Sequence, residues 1–186
     1  MRATAPGQSA LLLLDAIDVL AGLGVDYAVV GAMAAAVHGA VRASADADAV
    51  LSISPGRGAA LAQAFVAAGF AAEFRRGDAA DPIAAVLVVS DAHGNRIDFL
   101  IGLRGLEDDV FRRAVRVPWQ ERELRVAGVE DFIAMKVFAG GPQYFVDARR
   151  ARAVAGDVLD LALVRRLAAR YGPGAAAALE QVLRGE

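Results

Sequence analysis

Two apolar runs, PIAAVLVVS (residues 82–90) and RIDFLIG (96–102), are separated only by the five residues DAHGN. That linker holds Asp, Gly and Asn, the residues that let a chain reverse, so the pair reads as a β-hairpin. The chain must therefore build at least part of its core on a sheet. The second run carries Asp98 in its middle, where a carboxylate is unwelcome unless it has a partner.

A second strand-like stretch raises the same difficulty twice. DADAVLSI places Asp46 and Asp48 one residue apart, just before an apolar run. On a strand, residues i and i+2 point to the same face. The two carboxylates would stand about 6–7 Å apart at the backbone, close enough to lean onto one cation. Hard divalent ions such as Mg2+ take oxygen ligands, commonly one or two carboxylates plus substrate phosphates. If the strand of Asp98 is a neighbour in the same sheet, Asp46, Asp48 and Asp98 meet on one face as a metal site. Taken singly, each of these acids is more simply read as a solvated surface residue.

Around these strands the pattern alternates. Residues 9–22 read as an amphipathic helix opened by Ser9 and closed near Gly22 and Gly24. DYAVV (26–30) is a short strand, and AMAAAVHG a short helix closed by Gly39. GRGAALAQAFVAAG reads as a helix, and GFAAEFRR as a strand. After Leu106 helix dominates, apart from a short strand or loop at RELRVAG. VEDFIAMKVFAG, Pro142 to about Ala155, Asp157–Tyr171 and Pro173–Arg184 all read as helices. The expectation is an α/β (α+β) fold, a small mixed sheet flanked by helices. Its organisation is a core of residues 1–128 with a C-terminal helical part, residues 129–186, packed on it.

Composition narrows the partners. A 186-residue chain with 56% hydrophobic residues can bury a full core without staples, and it has no cysteine for a disulfide framework or a thiolate metal site. The apolar run LLLL near the N-terminus is interrupted by Asp15 and Asp18. No stretch reaches the roughly 18–20 uncharged apolar residues of a membrane span. The expected setting is the cytoplasm, with no membrane partner. With 20 Lys and Arg against 22 Asp and Glu, the net charge is −2, which disfavours a globally basic nucleic-acid binder. Local clusters remain at Arg75-Arg76, Arg112-Arg113, Arg149-Arg150-Arg152 and Arg165-Arg166, which on helices are usually solvated faces.

Residues near the acids suit a phosphate. Gly31 ends a strand and begins a helix, so backbone N–H groups and a positive helix end are available. Arg42 lies four residues before Asp46 and can pair with phosphate or with the aspartates. His38, next to Gly39, is better read as a capping or packing residue than as a base.

The stretch GAMAAAVHGAVRASADADAVL resembles the signature of nucleotidyltransferases of the DNA polymerase beta superfamily. There a Gly-Gly or Gly-Ser pair opens a short helix and Asp-x-Asp follows on the next strand. More narrowly, Gly31, His38, Gly39, Arg42, Ser44, Asp46 and Asp48 resemble the minimal, abortive-infection-toxin-like bacterial branch. A second block, VEDFIAMKVFAGGPQYFVDARRA, is similar to the family's Lys-bearing helix and the Asp-bearing helix after it. The resemblance covers roughly residues 25–155.

It implies an Mg2+-dependent (or Mn2+-dependent) enzyme that moves a nucleoside monophosphate from an NTP to an acceptor hydroxyl. Asp46, Asp48 and Asp98 would be the catalytic and metal-binding residues. Gly31, Ala32, Arg42, Ser44, Lys136 and Asp147 would form the nucleotide site, Lys136 on the phosphates and Asp147 orienting it. The acceptor would be an RNA such as tRNA, a protein or a small molecule such as an aminoglycoside. A toxin or antitoxin partner is also implied. A tRNA acceptor predicts a basic surface beside the triad, to which Arg149, Arg150 and Arg152 could contribute; an aminoglycoside predicts an acidic cleft. The Arg-rich stretch leans toward the former.

Three departures thin the pattern: Ala32 stands where the second Gly or Ser belongs, Gly141 replaces an arginine, and Tyr144 replaces an Asp. They favour an alternative, a catalytically degenerate fold that binds a nucleotide or a protein.

Overall fold

The computed structural model describes residues 2–185. The elements run α1 (Ser9–Gly22), β1 (Tyr27–Val29), α2 (Gly31–Val37), β2 (Asp46–Leu51), α3 (Gly58–Ala67), β3 (Ala71–Arg76), β4 (Ile83–Ser90) and β5 (Arg96–Leu103). They continue α4 (Val110–Arg113), β6 (Val115–Trp119), β7 (Arg122–Val126), α5 (Val129–Ala139), α6 (Pro142–Ala155), α7 (Leu161–Arg170) and α8 (Pro173–Arg184). The expected α/β class holds: the strands form one seven-stranded mixed sheet in the order β3-β4-β5-β2-β1-β7-β6. Among the described residues, no helix is long and apolar enough to cross a membrane.

The β4–β5 hairpin forms through its turn chemistry. Asp91 Oδ1 accepts from the N–H groups of His93 (2.8 Å) and Asn95 (3.0 Å). Buried Asn95 then donates to Asp91 Oδ2 (2.8 Å) and to the Ala5 carbonyl (3.0 Å), and accepts from the Gln8 N–H (2.6 Å). This one side chain fastens the turn to the chain entering α1.

Alternation sorts the two faces of β2 and β5. Ala47, Ala49, Ile97 and Phe99 are buried against α1 and α3, with Phe99 stacked on Phe65 at 5.6 Å. Asp46, Asp48, Arg96 and Asp98 occupy the opposite face. The large apolar cluster runs from α1, α3 and the sheet through α5 to α8.

The helical half is tied to the sheet by charge as well. Arg113 donates to both oxygens of buried Asp131 on α5 (2.7 Å each) and to Glu107 (3.0 Å), which also pairs with Arg166 on α7. One difference from the sequence expectation stands out: Val115–Trp119 forms strand β6, which its Pro118 and charged neighbours had hidden, while RELRV takes the strand form of the two expected for it, as β7.

Candidate active site

Register brings the three carboxylates together. β2 and β5 are parallel neighbours with Asp46 opposite Arg96 and Asp48 opposite Asp98. Because i and i+2 share a face, Asp46, Asp48 and Asp98 line one side of the sheet.

The turn after β1 closes over them. The Val30 N–H donates to the Asp48 carbonyl at 2.9 Å, and Gly31 follows with φ +62° at the start of α2. A Cβ on Gly31 would lie 2.0 Å from Asp48 Oδ2. Glycine is thus required twice, by its backbone conformation and by the carboxylate beneath it. Ala32, next along, is buried.

Burial, together with the neighbouring charges of Asp98 and Asp46, pushes the Asp48 carboxyl up to about 6, against the opposing pull of Lys136 and Arg42. Three anionic oxygen donors on one face suit a hard divalent cation in their chemistry. One engagement stands against them. Arg96 donates to both oxygens of Asp98, Nε to Oδ1 at 2.7 Å and Nη2 to Oδ2 at 2.9 Å. No three His, Cys, Asp or Glu side chains among the described residues converge closely enough to enclose an ion. A cation held by all three carboxylates would need Asp98 to leave Arg96.

A second charge cluster faces the first. Lys136 on α5 is buried, with its ammonium 3.0 Å from Asp147 Oδ2 and over the rings of Phe132 (5.1 Å) and Tyr144 (4.9 Å). Arg42 Nε lies 3.4 Å from the same oxygen, and Gln143 donates to Asp147 Oδ1 at 2.9 Å. Burial lowers the Lys136 pKa despite Asp147. Burial also opposes ionisation of Asp147, but the Gln143 hydrogen bond and the two cations hold its pKa below the usual carboxylate range. Tyr144, the residue in place of the expected Asp, therefore covers the lysine with its ring.

The remaining expected residues fall at the margin. Ser44 is exposed and donates to the Asp46 carbonyl at 3.0 Å. Arg42, Ser44 and Asp46 line the mouth of a hollow of about 350 Å³ behind α2, walled by Met33, Val117 and Trp119. His38 is a packing residue. Its Nε2 lies 2.8 Å from the Ala127 carbonyl, its ring packs against Phe132 at 5.1 Å, and burial lowers its pKa. Arg152 is drawn to structure too, donating to the Val182 carbonyl on α8. The sequence reading passed over Arg96 and Gln143. The i, i+2 rule that joined Asp46 to Asp48 would have set Arg96 beside Asp98.

No protein-family model and no curated protein matches the chain. Solved structures do. The antibiotic-resistance factor ANT(2'')-Ia in solution is 14% identical with a TM-score of 0.55, over 94% of this chain and 96% of that one. Its crystal structure in complex with adenylyl-2''-tobramycin is 14% identical with a TM-score of 0.56, over 87% and 97%. An antigenic nucleotidyltransferase-like protein from Paracoccidioides brasiliensis is 14% identical with a TM-score of 0.50, over 96% and 95%. At such identity the likeness is one of architecture: this chain has a nucleotidyltransferase fold, along nearly its whole length.

Proposed function

We propose that the protein transfers a nucleoside monophosphate from an NTP to an acceptor hydroxyl, with Mg2+ or Mn2+ held by Asp46, Asp48 and Asp98. The observation that carries this reading is the cross-strand pairing of Asp48 with Asp98 beneath the Gly31 turn. In this account residues 1–128 hold the metal, and residues 129–186 contribute Lys136 and Asp147.

The backbone N–H groups of Gly31 and Ala32 receive phosphate oxygens, with Arg42 and Ser44 at the edge. Arg42 is the better placed cation, since its side chain is 32% exposed whereas that of Lys136 is 7% exposed. Lys136 acts through its positive field, and Asp147 holds both cations in place. Bound metal would supply charge neutralisation on the phosphates and acidify the attacking hydroxyl. Asp98 accepts the proton of that hydroxyl. The acceptor's deprotonated oxygen forms a bond to the α-phosphorus while the bond from α-phosphorus to the bridging oxygen breaks, and pyrophosphate leaves. Positioning and electrostatics do most of the work.

The test is direct. The protein is incubated with Mg2+, each α-labelled NTP and cell extract, and label is sought on RNA, protein and small molecules. Transfer that disappears in Asp48→Asn supports the reading, and no labelled product with any NTP overturns it. The Arg96–Asp98 clasp and the missing hydroxyl at Ala32 favour a second reading, a module that binds nucleotide or protein without transfer. Metal-dependent NTP binding with no product would select it. The resemblance to the toxin-like branch further motivates a toxin–antitoxin partner in the cytoplasm. Growth arrest on expression, relieved by a second gene product, is the outcome that partner predicts.

A further inference from the structure

Strand β3 ends the sheet on one side, so its outer backbone groups have no strand beside them. The Gly77 N–H donates to the Ala84 carbonyl at 3.0 Å, which continues the β3–β4 register of Arg76 opposite Ala85. Inward and outward residues alternate along an antiparallel edge, so Ala71, Glu73 and Arg75 bond to β4. The N–H and C=O groups of Ala72, Phe74 and Arg76 point to the open edge, and among the described residues no hydrogen bond reaches them.

Such an edge accepts a further strand unless its side chains turn one away. At the other end of the sheet, β6 carries Pro118, which has no N–H to offer. Strand β3 has no proline, and its charges are not of one sign. Glu73 and Arg75 are exposed, two residues apart, on the face opposite Phe74.

A second copy of the same strand, antiparallel about a dyad at Phe74, satisfies all of these features. Phe74 then faces its own mate, with Ala72 opposite Arg76 on either side. The outward groups of all three residues pair, in about six hydrogen bonds. Glu73 falls opposite the partner's Arg75, and Arg75 opposite the partner's Glu73, at non-hydrogen-bonded positions where side chains stand closest. The ion pair within each chain, at 2.6 Å, becomes half of a square of alternating charges. On the other face the Phe74 rings, half-buried against Gly58 of α3, come together. Other registers fail. A dyad at Glu73, Arg75 or Arg76 sets like charges face to face, and one at Ala72 leaves Glu73 and Arg75 without an opposite charge.

We propose that β3 is a homodimer interface, at which a second copy of this chain pairs antiparallel about Phe74 and joins the two seven-stranded sheets into one. The dyad stands perpendicular to the sheet, so the faces that carry Asp46, Asp48 and Asp98 in the two copies look the same way. The inference does not depend on the transferase reading.

Sedimentation velocity of the full chain over about a hundredfold range of concentration tests it. The wild type should show the mass of two chains at the high end and dissociate on dilution. Glu73→Arg and Arg75→Glu should each weaken the dimer at least about tenfold, because symmetry applies each change twice. Both side chains are more than half exposed, so neither change disturbs the fold. An equimolar mixture of the two variants should recover the dimer, since each chain then offers one sign of charge and its mate the other. The double variant Glu73→Arg, Arg75→Glu should recover it too, by exchanging the members of every pair. A wild type that stays monomeric overturns the proposal. So does a dimer indifferent to both substitutions, or one that neither the mixture nor the double variant restores.

Discussion

Gly31 and Asp48 carry the sharpest residue-scale consequences. Gly31→Ala forces a Cβ against Asp48 Oδ2 and strains a backbone at φ +62°. It should cost about 1–3 kcal/mol in urea unfolding and weaken metal-dependent nucleotide binding. Asp48→Asn should do the opposite to stability. In the metal-free fold the Asp48 pKa is about 6, above its unfolded value, so the folded state binds the proton more tightly. Ionising it in place destabilises the fold. That penalty is absent below the unfolded pKa, grows as pH rises through the interval up to about 6, and is complete above it. Asp48→Asn should therefore be more stable than wild type by about 1–2 kcal/mol at pH 7.5 and level with it near pH 3.5. Urea titrations at the two pH values check this. A variant that is steadier but inactive is what a site built for a cation should give.

At the scale of elements, the charge cluster joining the loop between α2 and β2 to α5 and α6 is the point of strain. Lys136→Met leaves Asp147 buried with Arg42 at 3.4 Å and Gln143 as its remaining partners. The expected loss is about 3 kcal/mol, recovered in part by adding Asp147→Asn, because the cost is an uncompensated buried charge. Arg165→Ala, which removes an exposed pair with Glu180, should leave the urea midpoint where it is. Most elements were legible in the sequence for physical reasons that can be named. The β4–β5 hairpin announced itself through apolar runs and Asp91–Asn95 turn chemistry, and α1 through its buried leucines. Strand β6 was not legible, since VRVPW is exposed at a sheet edge and shows no apolar alternation. Arg96 was missed because a charged residue at the start of a run reads as punctuation. The i, i+2 spacing on β5 sets its guanidinium beside Asp98, where the two form a clasp. Local patterns could place Lys136 and Asp147 on helices, but only tertiary packing shows that the two side chains and Arg42 converge.

At the scale of the whole molecule, one apolar cluster spans the sheet and the C-terminal helices, while the Arg113–Asp131–Glu107 network crosses between them. Arg113→Met should therefore lower stability by about 3 kcal/mol, since it strands the buried carboxylate of Asp131. It should leave a single cooperative transition by calorimetry. Two separate transitions would show that the helices hold to the sheet mainly through these charges.

The central claim is that the carboxylates of β2 and β5 bind nucleotide through a divalent cation, and calorimetric titration of ATP with and without Mg2+ tests it most directly. Binding should require Mg2+ in the wild type and be lost in the Asp46→Asn, Asp48→Asn double variant. ATP affinity that is unchanged by removal of Mg2+, or retained in that variant, would contradict it.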